Sequence, residues 1–224
     1  MAKLYFSYSA MNAGKSTLLL QASYNYRERG MHTLLFIAAL DDRSGKGKIG
    51  SRIGLESEAI PFLMQDDLFE MIRLEHAKTP AACIFVDEAQ FMSEDQVWQL
   101  ARAVDELDIP AMTYGLRTDF QGELFPGSRV LLAISDTLRE IRTICECGRK
   151  ATMNLRVDPD GRAVREGRDP VGDRGAGQVA AKVLEVGAIG GLRIHRLNAQ
   201  PPVDQPVVVV AEQAAVLAEL AIVQ

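Results

Sequence analysis

The sequence has no excess of positive charge, and this absence limits the partners that the protein can bind. Of its 224 residues, 25 are Lys or Arg and 30 are Asp or Glu, so the formal net charge is −5. Such a chain has no bulk attraction for nucleic acid or for an anionic membrane surface. We therefore expect neither partner, and a small anionic ligand needs a local device such as a loop or a helix N-terminus.

Cysteine is scarce, and long apolar runs are missing. The three cysteines, Cys83, Cys145 and Cys147, are too few for a disulfide framework, so we expect reduced thiols or metal ligands. No apolar run is long enough to span a bilayer, and the first residues, MAKLYFSYSA, lack the pattern of a signal peptide. These features predict a cytoplasmic protein.

Aromatic residues are absent from the last part of the chain, since no Phe, Tyr or Trp follows Phe125. Residues 158–178, DPDGRAVREGRDPVGDRGAGQ, have a composition that is typical of a loop. The tail is rich in Ala and Val and has no aromatic anchor for a core. We therefore predict an α/β domain at 1–143, a small domain at 144–200 and a tail at 201–224.

Short apolar runs alternate with helix-like segments up to residue 143. The alternation predicts a parallel sheet with helices on both faces, because strands buried on both sides are nearly continuously apolar. Ser93 and Gln96 have the spacing of a capping box at a helix start. A polar, Gly-rich loop is expected after residue 40. The predicted strands are residues 3–9, 33–40, 82–89 and 109–116.

The segment SAMNAGKST, residues 9–17, ends like the phosphate-binding pattern G-x-x-x-x-G-K-[ST], although Ser9 takes the place of the first glycine. In that pattern Gly14 permits close approach of the backbone, Lys15 reaches the β- and γ-phosphates, and Ser16 offers a hydroxyl to Mg²⁺. Alone, GKS is more often a surface turn. Because a predicted strand precedes it and a predicted helix follows it, we interpret it as an ATP site.

A second acidic motif agrees with the first. CIFVDEAQF, residues 83–91, is an apolar strand that ends in two carboxylates. Asp87 is suited to act on Mg²⁺ through water, and Glu88 is suited to take a proton from an attacking hydroxyl. The simpler alternative is a solvated charge pair at a strand end. DEAQ is also similar to the acidic box of helicase-type ATPases, but such motors need a second lobe and a positively charged track, so a small-molecule kinase is favoured.

Five motifs in series resemble the thymidine kinases of the cytosolic mammalian and common bacterial class. They are LYFSYSAMNAGKST, LDDRSGKG, VDEAQF, YGLRTDFQGELFPGS and TICECGRKA, and the resemblance extends over roughly residues 1–167. Bacterial members also carry SAMNAGKS, so Ser9 is part of the resemblance. It implies a P-loop α/β fold, transfer of the γ-phosphoryl group of ATP to the 5′-hydroxyl of thymidine or deoxyuridine, a need for Mg²⁺, and a homotetramer.

The resemblance also implies roles for individual residues. Glu88 is the implied general base. For Phe91 or Phe120 taken alone, packing in the core is the alternative to a place in the pocket wall that a flat pyrimidine needs. The implied nucleoside pocket is Met11, Phe91, Leu116, Phe120 and Phe125. The implied ATP and metal site is Ser9, Ala10, Met11, Asn12, Ala13, Gly14, Lys15, Ser16, Asp41, Arg43, Asp87, Glu88, Ala89 and Gln90.

The pair Cys145 and Cys147 corresponds to the start of the small zinc-bearing domain of that family. A structural zinc site needs four ligands, so two thiolates do not close it. In this chain no cysteine follows Cys147, and the one later histidine is His195. The structural zinc site is therefore incomplete as the sequence stands.

Members of the family carry a loop over the nucleoside of the form E-G-E-x-V-x-I-G-G-x-x-x-Y-x-x-x-C. This sequence follows that pattern only through REG at residues 165–167. A later EVGAIGGLRIH has an Ile-Gly-Gly triplet, but it lies too far along the chain and has His195 in place of the tyrosine. An altered reading frame near Gly167 and a diverged terminus are both open. Two functions are open as well: a working thymidine kinase, or a nucleotide-binding P-loop protein with little or no kinase activity.

Overall fold

The computed structural model describes residues 1–41, 45, 47–145 and 148–157, and the backbone of short strands at 163–164, 184–187 and 191–194. The chain forms two compact units. The first contains Met1–Ser9, Ala13–Asp119 and Glu123–Ile141, and the second contains Ala10–Asn12, Phe120–Gly122 and the chain from Arg142 onward. Within these described ranges, no helix has the length and apolar character needed to cross a membrane.

The first unit is built on a six-stranded sheet with the order β5-β2-β6-β7-β1-β8. Every neighbouring pair in this sheet is parallel. The separate strands β3 and β4 form an antiparallel pair. In chain order the elements are β1 (Leu4–Ser9), α1 (Lys15–Glu28), β2 (Thr33–Ala38), β3 (Lys48–Gly50), β4 (Glu56–Glu58), β5 (Ile60–Phe62), α2 (Leu68–Lys78), β6 (Cys83–Asp87), α3 (Glu94–Leu107), β7 (Ala111–Leu116), α4 (Pro126–Ile134) and β8 (Thr137–Glu140).

Helices cover both faces of the sheet because successive side chains of a strand point to opposite sides. In β2, Leu34 and Phe36 pack in one buried cluster with side chains from α2, α3 and α4. The alternate residues Leu35 and Ile37 pack in a second cluster with side chains from α1. All six residues of β2 are buried, as the apolar run predicts for a central strand.

The predicted α/β fold is confirmed, with differences at the element ends. The strand expected at 33–40 ends at Ala38, and the one expected at 82–89 ends at Asp87. The prediction of a Gly-rich loop after residue 40 was wrong in part, because this segment contains the short strands β3, β4 and β5. Each of these has only three residues, which is too short for a sequence period to be visible.

The capping box at the start of α3 is confirmed. The Gln96 N–H donates to the Ser93 hydroxyl, and the Ser93 N–H donates to Gln96 Oε1, each over 3.1 Å. The same Gln96 amide donates to the carbonyls of Leu63 and Asp66. The cap therefore fixes both the helix start and the loop that precedes α2.

The second unit holds a short turn region and small two-stranded sheets. The Ala151 N–H donates to the Thr143 carbonyl over 2.7 Å, and an isolated bridge joins Ile144 to Lys150. The antiparallel pairs are β9 (Arg156–Val157) with β10 (Ala163–Val164), and β11 (Leu184–Gly187) with β12 (Gly191–Ile194).

Candidate active site

Functional side chains of the first unit gather where three parallel strands end. Strand β1 ends at Ser9, β6 at Asp87 and β7 at Leu116. Ser9 pairs in register with Leu116. Because the carboxyl ends of parallel strands share one edge, this edge is where an open α/β sheet binds its ligands.

Gly14 and Lys15 begin α1 at this edge. Gly14 is the helix N-cap and has φ 77°, a conformation that side-chain-bearing residues rarely adopt, so the backbone favours glycine here. The first N–H groups of α1 have no partner within the helix and favour an anion. The buried Lys15 ammonium donates to the Ser9 hydroxyl over 3.3 Å. Ser9 itself lies in a strand, where extended backbone needs no glycine, and this explains the departure from the usual pattern.

Asp87 is a buried carboxyl at the end of β6, with 2% of its surface exposed. Burial, and then the neighbouring Glu88, raise the pKa of Asp87 to about 7, while a hydrogen bond with the Ser16 side chain and the charge of Lys15 oppose this rise. A carboxylate and a hydroxyl beside an ammonium are a donor set that suits Mg²⁺ with a phosphate, since Mg²⁺ prefers oxygen ligands. Asp87, Ser16 and Lys15 therefore fit the Mg²⁺ ion that the sequence predicts.

Glu88 leaves the strand in a left-handed backbone conformation, with φ 50° and ψ 41°. For a residue with a side chain, this conformation costs about 1–3 kcal/mol, and such residues cluster at functional sites. The Glu88 N–H donates to Asp87 Oδ1 over 3.0 Å, and a single turn of 3₁₀-helix follows at Ala89–Phe91. The Glu88 carboxylate accepts a hydrogen bond of 2.6 Å from the Gln90 amide.

Two of the residues predicted for the nucleoside pocket touch each other in the first unit. The Phe91 and Phe125 rings meet edge to face, with centroids 5.8 Å apart and an interplanar angle of 79°. Leu116 is held at the end of β7, where its carbonyl accepts from the Ser128 hydroxyl over 2.5 Å. These contacts fit a fixed apolar wall, which an aromatic base requires.

The second unit brings together three segments that are far apart in the chain. The Met11 N–H donates to Asn154 Oδ1 over 2.8 Å, and Asn154 is buried. The Arg156 guanidinium lies over the Phe120 ring, 5.8 Å from its centroid. Sequence reasoning missed Asn154 and Arg156, because nothing local in the sequence marks a contact between residues 143 positions apart.

Two other predicted residues, Asp41 and Cys145, are held by backbone hydrogen bonds. Asp41 lies in the turn after β2, where its N–H donates to the Ala38 carbonyl over 2.9 Å. Cys145 is buried, and its N–H donates to the Arg149 carbonyl over 2.8 Å. In the described part of the chain, no three His, Cys, Asp or Glu residues are grouped to hold a metal ion. Arg43 and Cys147 lie outside the described residues.

Comparison with known proteins agrees with the edge-of-sheet geometry. A family model described as thymidine kinase matches residues 2–170. The chain belongs to this family. The thymidine kinase of Rhizobium meliloti strain 1021 is 68% identical over 169 residues, which are 75% of this chain and 87% of that protein. The thymidine kinase of Shewanella oneidensis strain MR-1 is 61% identical over 167 residues, 75% of this chain and 87% of the relative.

Proposed function

We propose that this protein phosphorylates thymidine or deoxyuridine at the 5′-hydroxyl, with ATP as the donor, in the salvage of pyrimidine deoxynucleosides for DNA synthesis in the cytoplasm. Membership of the thymidine kinase family over residues 2–170 supports the reaction class. The observation that carries the proposal is the grouping of Lys15, Ser16, Asp87 and Glu88, because a phosphoryl transfer needs a cation, a metal site and a base at one edge.

Each residue of the proposed site has a role in this reaction. When bound, ATP would supply the transferable phosphoryl group, and Mg²⁺ would neutralise charge on the phosphates. We assign Ser16 and Asp87 to hold the metal, and Lys15 with the first N–H groups of α1 to hold the phosphates. Glu88 accepts the proton of the nucleoside 5′-hydroxyl as that oxygen bonds to the γ-phosphorus of ATP and the bond from the γ-phosphorus to the leaving ADP breaks. Ala10, Asn12, Ala13, Ala89, Asp41 and Arg43 belong to the proposed ATP and metal site by resemblance.

For the nucleoside we propose an apolar pocket that includes Phe91, Phe125 and Leu116, with Met11 and Phe120 added by resemblance. The edge-to-face contact of Phe91 with Phe125 supports an aromatic wall. A pyrimidine base is flat and buries much of its surface against such rings, and polar groups then set which base is accepted.

The direct test incubates the purified full chain with ATP, Mg²⁺ and thymidine and measures thymidine 5′-monophosphate by chromatography. In Lys15→Ala, nucleotide binding measured by calorimetry should be lost. Glu88→Gln should keep nucleotide affinity while kcat falls by about a hundred-fold, as expected for a missing general base. Lys78→Ala is a matched control on the exposed side of α2. Full activity of Glu88→Gln would remove this base from the mechanism.

A second function, nucleotide binding without useful kinase activity, is favoured by one observation. The family match ends at residue 170, so most of the segment in which the family's nucleoside loop and remaining zinc ligands are expected lies beyond it. ATP binding without any monophosphate product would support this alternative. We expect well below one zinc per chain by atomic absorption, since two thiolates do not close a site. One full equivalent would mean that other residues complete it. The homotetramer implied by resemblance is tested by light scattering.

A further inference from the structure

Gln90 lies fully inside the first unit, with 1% of its surface exposed, and its amide is engaged at both ends. The Nε2 group donates to Glu88 Oε2 over 2.6 Å. The Oε1 atom accepts from the Leu116 N–H over 3.0 Å. One side chain thus connects the carboxylate after β6 to the backbone at the end of β7.

We propose that Gln90 is a positioning residue for Glu88, fixing the carboxylate of the general base in place against the end of β7. The inference rests on the proposed function, in which Glu88 takes the proton of the nucleoside hydroxyl. By resemblance Gln90 belongs to the ATP site. Its burial and its two contacts within the protein support this further role at the base.

The orientation of the Gln90 amide follows from its partners. A backbone N–H can only donate, so the Leu116 N–H requires the amide oxygen. The amide nitrogen must then face Glu88, where an ionised carboxylate can only accept. A flipped amide would lose both hydrogen bonds. The arrangement is therefore specific for Gln, since Met offers neither group and Glu would place a second negative charge beside the base.

Glu88 needs such support because of its backbone. It sits in the left-handed region between a strand and a turn of 3₁₀-helix, so no regular element determines where its side chain points. A general base must lie within hydrogen-bond reach of the proton that it takes, and a displacement of about 1 Å can cost a hundred-fold in rate. The Gln90 amide supplies the fixed contact that the backbone does not.

The neighbouring strand is shaped to admit this amide. A Cβ atom on Gly115 would lie 2.8 Å from Gln90 Oε1 and 3.1 Å from the Gln90 backbone nitrogen. Strand β7 therefore carries glycine at the point where the Gln90 side chain passes it. The segments VDEAQF and YGL are separate in the chain, but they pack together so that the Gln90 amide contacts Glu88.

The test is a double-mutant cycle between Gln90→Met and Glu88→Gln in the full chain, with kcat, both KM values and the Kd for ADP measured for each variant. In Gln90→Met we expect kcat to fall by about ten-fold or more while the nucleotide Kd stays within about two-fold. In the Glu88→Gln background the same change should alter kcat by less than about two-fold, because a positioning residue has nothing left to position. Gln21→Met, on the exposed face of α1, is the matched control.

Three results would overturn the inference. An equal fall in kcat in both backgrounds would show that Gln90 acts independently of Glu88. A weaker Kd for ADP in Gln90→Met would show a nucleotide contact instead. Unchanged kcat in Gln90→Met, with a large loss in Glu88→Gln, would refute the role of Gln90 and leave the proposed function standing. Full activity of Glu88→Gln would remove Glu88 as the base, and with it this inference, whereas absence of thymidine monophosphate from the parent protein would refute the proposed function itself. If Gln90→Met does not fold, Gln90→Asn keeps a polar group but withdraws it from Glu88, and the same pattern is expected.

Discussion

Replacing Gly115 by alanine is a small change with a calculable effect. The added Cβ would lie 2.8 Å from Gln90 Oε1, 3.1 Å from the Gln90 nitrogen and 3.4 Å from the Ala89 nitrogen. The side-chain oxygen can move, but two of the three atoms are backbone in a tight turn and cannot move alone. Overpacking of this kind costs about 1–3 kcal/mol.

Displacement of Gln90 by the new Cβ atom lowers the stability a second time. When Gln90 moves, the Leu116 N–H loses its acceptor, which costs about 0.5–1.5 kcal/mol. Alanine recovers about 0.4–1 kcal/mol by restricting the unfolded chain. We therefore expect Gly115→Ala to lower the free energy of unfolding by about 2 kcal/mol, within the range of ordinary core mutations. The displaced Gln90 should also lower kcat.

Urea unfolding followed by circular dichroism measures the first effect, and steady-state kinetics on the folded protein measures the second. A change in the free energy of unfolding below about 0.5 kcal/mol, the usual limit for surface substitutions, would refute the close packing of β7 against Gln90. A stability loss with unchanged kcat would refute the link between this packing and the base.

Three further predictions concern other parts of the molecule. Ser93→Ala should cost about 0.5–2 kcal/mol of unfolding free energy by losing the cap of α3, whereas Ser93→Gly should cost only a few tenths; equal costs would contradict the capping role. Asn154→Ala removes the acceptor of the half-buried Met11 N–H and should cost about 0.5–1.5 kcal/mol in urea unfolding, with Asn25→Ala as the exposed control. The pKa of Asp87 is raised from 3.8 to about 7, so the folded protein binds more protons there than the unfolded chain and stability falls as pH rises through this window. Without Mg²⁺, Asp87→Asn should therefore gain stability relative to the parent protein from pH 4 to pH 7 in thermal unfolding, and a constant difference would contradict the shift.

Local patterns predicted the parts of this fold that depend on neighbours in the sequence. The Ser93 and Gln96 spacing gave the start of α3, and the apolar runs gave four strands, because each feature is complete within a few residues. The turn into α1 also follows from short-range sequence, including the glycine at φ 77°.

What the sequence did not predict is non-local. The three-residue strands β3, β4 and β5 depend on their pairing partners more than on their own pattern. The hydrogen bond from Leu116 to Gln90 joins two motifs 26 residues apart, and the one from Met11 to Asn154 spans 143 residues. Glutamine and asparagine have no periodicity that marks such contacts, so only the folded chain reveals them.

The order of the strands in the sheet has a consequence for folding during translation. Strand β1 comes first in the chain, yet its neighbours in the sheet are β7 and β8, which end at Leu116 and Glu140. While the ribosome makes the first hundred residues, neither of the two strands that flank β1 in the sheet has been made. A nascent chain halted before residue 111 should not retain ATP, whereas one released past residue 140 has every strand that flanks β1. The first strand to be translated is thus among the last to form its hydrogen bonds within the sheet.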